Sequence, residues 1–149
     1  MGDLIYLDYN CFQRAFDDRR QVRVRIEAVA CEAIFDMAER GRVSLVWSFM
    51  HDDECELCPY PHRRTIALTL STLCTKRVAA TDEVRRLAMA FQERATLSAK
   101  DAIHLACACA ANADALLTCD DHFTRRARRL TETVQVMNPV DYLRKREGG

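Results

Sequence analysis

Residues 97–123 read "LSAKDAIHLACACAANADALLTCDDHF". Ser98 is a natural helix N-cap, and the apolar run behind it extends the helix through Ala111. Ala115–Thr118 then reads as a short buried strand, and His122–Leu130 as a further helix. Helix, buried strand and helix in under 35 residues suit a parallel sheet far better than a meander. The run also raises a question about its acids. Asp101 stands in the first turn of an otherwise apolar helix, and Asp120-Asp121 closes the strand. A capping box built on Ser98 accounts for Asp101 locally, and an N-cap accounts for Asp120 or Asp121.

The same alternation runs along the rest of the chain. Ile5–Leu7 reads as a buried strand ending at Asp8. A short helical turn and loop follow from Phe12 to Arg20. Val22, Ile26, Val29, Ala30, Ala33, Ile34 and Met37 keep helical spacing, with Gly41 as the C-cap. Val43–Trp47 is a second strand, and Ser48 caps a helix through Met50–Cys55 that Pro59 and Pro61 break. Arg63–Cys74 resumes as helix, and Val78–Ala80 is a short strand. Thr81 caps Asp82–Arg94. Thr133–Met137 is the last strand, and Asn138-Pro139 turns the chain into a tail helix. Strands too apolar to be half-exposed, alternating with helices, predict an α/β protein with a central parallel sheet covered on both faces.

The 149 residues are read as one domain, 1–149, with 49% hydrophobic and 30% charged residues, an ordinary globular balance. A formal net charge of +0 excludes a body that coats nucleic acid non-specifically. Arginine doublets such as Arg63-Arg64 and Arg125-Arg126 leave room for a local basic surface. Asp3 and Asp8 interrupt any secretory leader, and Ala102–Ala111 is half the roughly 20 residues a membrane span needs. A cytoplasmic location with no membrane partner is expected. Of the eight cysteines, Cys11, Cys31, Cys74, Cys107, Cys109 and Cys119 read as small buried hydrophobes. His51, Cys55, Cys58 and His62 have a spacing that suits four zinc ligands, although the group is compact and runs into "CPYP".

In a parallel α/β sheet, ligands bind beyond the carboxyl ends of the strands. Asp8 ends the first strand, Glu54 lies one to two helical turns past the second, Asp101 opens a helix, and Asp120 follows a strand by two residues. Each has a local explanation: an Asx turn at Asp8, a surface position for Glu54, caps for the others. Caps need not fall on one sheet edge, however, and three of these four sit just after strand ends or at a helix start, where the same edge is expected. Like charges converging there repel unless a cation stands between them. Oxygen donors without paired His or Cys suit Mg²⁺ or Mn²⁺.

On the segments "LDYNCF", "SFMHDDE", "SAKDAIHLACACAANADALLTCDDHF" and "VMNPVDYL", which cover nearly the whole chain, the sequence resembles the PIN-domain ribonucleases of toxin–antitoxin systems. The resemblance implies a three-layer α/β/α sandwich. It implies that Asp8, Glu54, Asp101 and Asp120 bind one or two divalent ions, with Asn10, Ser48, Thr118 and Asp121 as supporting polar residues. Asp52 and Asp53 compete with Glu54, and Asp121 with Asp120; motif register selects Glu54 and Asp120. The activity implied is hydrolysis of RNA phosphodiesters by metal-activated water, leaving 5′-phosphate and 3′-hydroxyl ends. The implied partners are RNA, a cognate antitoxin and a second copy of the chain. Tyr9 and Phe12 are candidate stacking rings for RNA bases. His104, one turn from Asp101, reads as a packed histidine. A non-catalytic PIN-like binding module is the alternative. A haloacid-dehalogenase-type phosphatase is disfavoured, because Asn10 stands where its second aspartate would be.

Overall fold

In a computed structural model the chain is described over residues 2–148. Five strands, β1 (Leu4–Leu7), β2 (Ser44–Ser48), β3 (Cys74–Val78), β4 (Ala115–Leu117) and β5 (Gln135–Met137), form one sheet in the order β3-β2-β1-β4-β5. Every pairing is parallel. The helices are α1 (Tyr9–Gln13), α2 (Val22–Glu39), α3 (Phe49–Leu57), α4 (Pro61–Ser71), α5 (Asp82–Arg94), α6 (Ala99–Ala110), α7 (Asp121–Ala127) and α8 (Pro139–Gly148), with a 3₁₀ turn at Arg14–Phe16.

Period-two alternation along the strands sorts the core into two layers. Tyr6, Val46, Leu116 and Val136 face one side, where Ala88 and Phe91 of α5 and Leu105, Ala106 and Ala108 of α6 pack on them. Ile5, Leu7, Leu45, Trp47 and Leu117 face the other, against Phe12, Cys31 and Ile34. The result is the expected α/β/α sandwich with a central parallel sheet. Small residues let α6 approach closely: Ala102, Ala106, Cys107 and Ala108 are fully buried.

Two helix ends set the entry of strands into the sheet. Gly41 takes φ 75° past α2. Its N–H and that of Arg42 donate to the carbonyls of Ala38 (3.1 Å) and Met37 (2.8 Å), which closes a Schellman motif. Asn112, at φ 57°, does the same past α6, with Asn112 and Ala113 N–H groups on Cys109 and Ala108 carbonyls, both at 3.0 Å. Both capping threonine and serine expectations hold: Thr81 accepts from Val84 N and Ser98 from Asp101 N.

Several boundaries differ from expectation, including the last strand, which starts at Gln135 rather than Thr133. The third strand is Cys74–Val78 rather than Val78–Ala80, and α4 ends at Ser71. β3 is an edge strand with Thr75, Lys76 and Arg77 exposed, so it lacks the apolar signature expected of the sheet. The chain turns helical at Tyr9, directly after Asp8, instead of at Phe12. The helix after β4 stops at Ala127, short of Leu130. The cysteines are free thiols. Cys109 is half-buried, while Cys11, Cys31, Cys74, Cys107 and Cys119 are buried. No helix among the described residues is long and apolar enough to cross a membrane.

Asn112 gives a direct test of how β4 is launched. A β-branched residue in the left-handed region costs about 1–2 kcal/mol, whereas glycine is at ease there. Asn112→Val is expected to lower stability in urea melts by that amount, and Asn112→Gly to leave it within about 0.5 kcal/mol. Equal losses in both variants would contradict the cap.

Candidate metal centre

The strand order reverses direction around β1. β2 and β3 continue to one side, and the chain then crosses to place β4 and β5 on the other. A crevice therefore opens beyond the carboxyl ends of β1 and β4, at the point where open α/β sheets bind ligands. Asp8 follows β1 and Asp120 follows β4, one on each lip.

Asp8 is 5% exposed. It occupies the N-cap position of α1 but makes no capping bond, so the Asx-turn explanation fails. Its Oδ2 accepts instead from the Thr118 hydroxyl (2.7 Å) and from Asn10 Nδ2 (3.2 Å). Asn10 Nδ2 also reaches Thr118 Oγ1 at 3.2 Å, and its Oδ1 accepts from Cys119 N at 3.3 Å. Thr118 Oγ1 in turn accepts from Asp120 N at 3.1 Å. Asn10 and Thr118 thus tie the β1 and β4 loops together and leave Asp8 Oδ1 turned toward His104 Nε2, 3.8 Å away.

Glu54 arrives from α3 and hydrogen-bonds His104 Nε2. Lys100 Nζ stands 3.6 Å from its other oxygen. The competing acids of α3 are accounted for elsewhere: Asp52 accepts from Trp47 Nε1 at 2.8 Å, and Asp53 is exposed. Asp8, Glu54 and His104 each offer a ligand atom within 4.8 Å of the other two.

Asp101 needs no choice between cap and site. Ser98 supplies the cap, accepting from Asp101 N at 3.1 Å, and the Asp101 carboxyl is left half-buried. Burial pushes its pKa up, and the charges of Asp8 and then Asp120 push it further. Asp8 is raised as well, first by burial; His104 and the Thr118 hydroxyl oppose that shift, and Glu54 adds to it. Asp120 spends Oδ1 on the N–H groups of His122 (2.9 Å) and Phe123 (3.3 Å) at the start of α7. Asp121 is held by both guanidinium nitrogens of Arg23, at 2.7 and 2.8 Å, and its pKa is lowered by that pairing. Of the doublet, Asp120 faces the acids and Asp121 faces Arg23.

Ser48 is buried one layer back. Its Oγ lies 2.7 Å from Tyr6 Oη, and Tyr6 Oη lies 2.6 Å from His104 Nδ1. Sequence reasoning treated His104 as packing alone. It is fully buried, yet its second nitrogen reaches the acids, and the one-turn spacing from Asp101 was the available signal. The zinc grouping does not assemble. His51 Nε2 bonds Leu7 O, Cys55 and Cys58 donate to the carbonyls of Arg64 and Tyr60, and His62 lies exposed against Phe16. Burial holds His51 neutral, with its pKa down at about 3. Tyr9 and Phe12 are buried at 6% and 2% and offer no face for base stacking.

The donor set fits a divalent ion. Asp8 is buried and Asp101 half-buried, burial raises the pKa of each, a neighbouring carboxylate adds to each shift, and a cation placed between them would offset both effects.

Comparison with known proteins agrees with this architecture. Residues 58–129, just under half of the chain, match the family model described as PIN domain. FitAcB from Neisseria gonorrhoeae superimposes with a TM-score of 0.60 at 18% identity, covering 91% of this chain and 97% of that one. VapBC2 from Rickettsia felis, solved bound to a DNA fragment from its promoter, gives 0.59 at 12% identity, covering 91% and 98%. The chain has the PIN-domain fold. At these identities the structural neighbours speak for the fold alone. Comparison with curated proteins returns no match. The PIN-domain match takes in Asp101 and Asp120 and begins after Asp8 and Glu54, which the folded chain brings to the same edge.

The raised carboxyl groups have a thermodynamic consequence. A folded-state pKa above the unfolded value means the anion is disfavoured on folding, so this contribution destabilises at neutral pH, fades as pH falls through the raised folded-state pKa, and is gone below the ordinary Asp value of about 3.9. Asp101→Asn is expected to raise the Tm of metal-free protein at pH 7, by about 2–4 °C per kcal/mol of repulsion removed. The gain should shrink on acidification. A lowered Tm would instead assign Asp101 to helix stabilisation.

Proposed function

We propose that this PIN-fold chain is a divalent-metal-dependent endoribonuclease of the toxin–antitoxin type. The observation that carries the reading is that Asp8, just past β1, offers a ligand atom within 4.8 Å of ones on Glu54 of α3 and His104 of α6, while the charges of Asp8 and Asp120 act on Asp101 at the start of α6. Bound there, Mg²⁺ or Mn²⁺ would supply an activated water and offset charge on the phosphate oxygens. Asp8, locked by Asn10 and Thr118, is the central holding group. Asp101 and Asp120 line the crevice opposite Glu54, and Asp101, half-buried with a raised pKa, is suited to accept a proton from an attacking water.

RNA is the substrate favoured by the resemblance. Its backbone would meet the cations at the rim: Lys100 beside Glu54 and Arg23 beside Asp121. Exposed Tyr60, with the Arg63 guanidinium 4.9 Å over its ring, replaces Tyr9 and Phe12 as the aromatic surface open to a base. A cognate antitoxin, assembly as a homodimer and a cytoplasmic location complete the reading. The antitoxin partner rests on the sequence resemblance to toxin–antitoxin ribonucleases.

Asp8→Asn is the decisive variant, because the amide can still accept from Thr118 and so keeps the local structure. It is expected to cut Mn²⁺-dependent cleavage of a mixed RNA by at least about 100-fold while the melting curve stays cooperative. EDTA should stop the wild type. Undiminished cleavage by folded Asp8→Asn would refute the reading.

A further inference from the structure

A buried hydrogen-bond chain runs behind the acids, and its proton order can be deduced. Ser48 N–H donates to His51 Nδ1 at 2.9 Å, so that nitrogen is an acceptor and His51 carries its proton on Nε2, aimed at Leu7 O at 2.6 Å. His51 Nδ1 is therefore satisfied without the Ser48 hydroxyl, 3.1 Å away. The hydroxyl is free to donate to Tyr6 Oη at 2.7 Å, and Tyr6 then donates to His104 Nδ1 at 2.6 Å. With Nδ1 accepting, neutral His104 keeps its proton on Nε2, where it meets Glu54. The opposite order starts with Tyr6 donating to Ser48. It would require His104 Nδ1 to donate to Tyr6, leaving a bare Nε2 lone pair against a carboxylate oxygen. With neutral histidines and Glu54 as the carboxylate that would hold a cation, only the first order satisfies every group.

We propose that His104 is a positioning residue, holding the Glu54 carboxylate beside Asp8 through an Nε2–H whose tautomer the Tyr6–Ser48 relay sets. This rests on the metal-dependent reading of the crevice. Glu54 needs such help more than the other acids do. Asp8 is locked by two side chains, and Asp120 by two backbone N–H groups. Glu54 has a long side chain on a helix across the crevice, and beyond His104 its partner among the described residues is Lys100 at 3.6 Å. Fixing it before an ion binds removes rotamer entropy from the binding step. His104 can do so because its ring is immovable: it is fully buried between Tyr6 and His51, with centroids at 5.5 and 5.2 Å.

The test uses metal-free protein and Mn²⁺ alone, without RNA. Nitrogen-15 NMR of the His104 ring should report the Nε2–H tautomer in wild type and a mixture in Tyr6→Phe. Free Mn²⁺, counted by electron paramagnetic resonance, should show His104→Leu binding about 10–100-fold more weakly than wild type, and His104→Gln, which retains a donor near Nε2, within about 5-fold of it. Tyr6→Phe should fall between. A folded His104→Leu with wild-type Mn²⁺ affinity would overturn the positioning role while leaving the metal reading intact. So would a directly coordinated nitrogen in the Mn²⁺ spin-echo spectrum, which would make His104 a ligand. Wild type that binds no Mn²⁺ would overturn the metal reading and this proposal with it.

Discussion

The constraint on which the crevice depends is the burial of Asp8 at the end of the central strand. A carboxylate that is 5% exposed at a sheet edge must be satisfied, and Thr118 and Asn10 do this from the β4 loop and from α1. Those bonds join the two loops flanking the strand-order reversal. They also orient Oδ1 toward Glu54 and His104 rather than toward the core. Burial raises the pKa of Asp8 and Asp101, and neighbouring carboxylates add to it. Ionising these two carboxyl groups opposes folding, which is the arrangement expected where charged groups are gathered at a site rather than scattered over a surface.

The sequence carried the fold well where the signal was local. Ser98, Thr81 and Gly41 announce helix ends through chemistry within a few residues, and each does what its side chain or backbone suggests. β1, β2 and β4 are buried on both faces and read as continuous apolar runs. β3 failed for the same reason in reverse: an edge strand presents Lys76 and Arg77 to solvent and has no apolar run to show. α1 was placed late because Tyr9-Asn10-Cys11 has no helical periodicity; its start is dictated by β1 ending.

At the candidate site, the sequence offers candidates but not their geometry. Four acids after strand ends or at a helix start could be picked out by position along the chain. Within the doublet, motif register selects Asp120, but the physical reason is not local, since Asp121 is drawn away by Arg23 from 98 residues earlier in the chain. The cysteine and histidine spacing around residues 51–62 misled because spacing ignores which way α3 and α4 turn. His51 points into the core and His62 out of it. His104 was undervalued for a related reason. Its apolar neighbours in α6 argue for packing, and only the three-dimensional meeting of α3, α6 and β1 gives its second nitrogen a carboxylate.

The most direct measurement is anomalous X-ray diffraction from crystals of the wild-type protein soaked in Mn²⁺. The account predicts a manganese peak in the crevice, within coordination distance of Asp8 and at least one of Glu54, Asp101 and Asp120, with Asp121 still paired to Arg23. A crevice without manganese at saturating concentration, or an ion held instead by Asp121 or by the residue 51–62 segment, would contradict it.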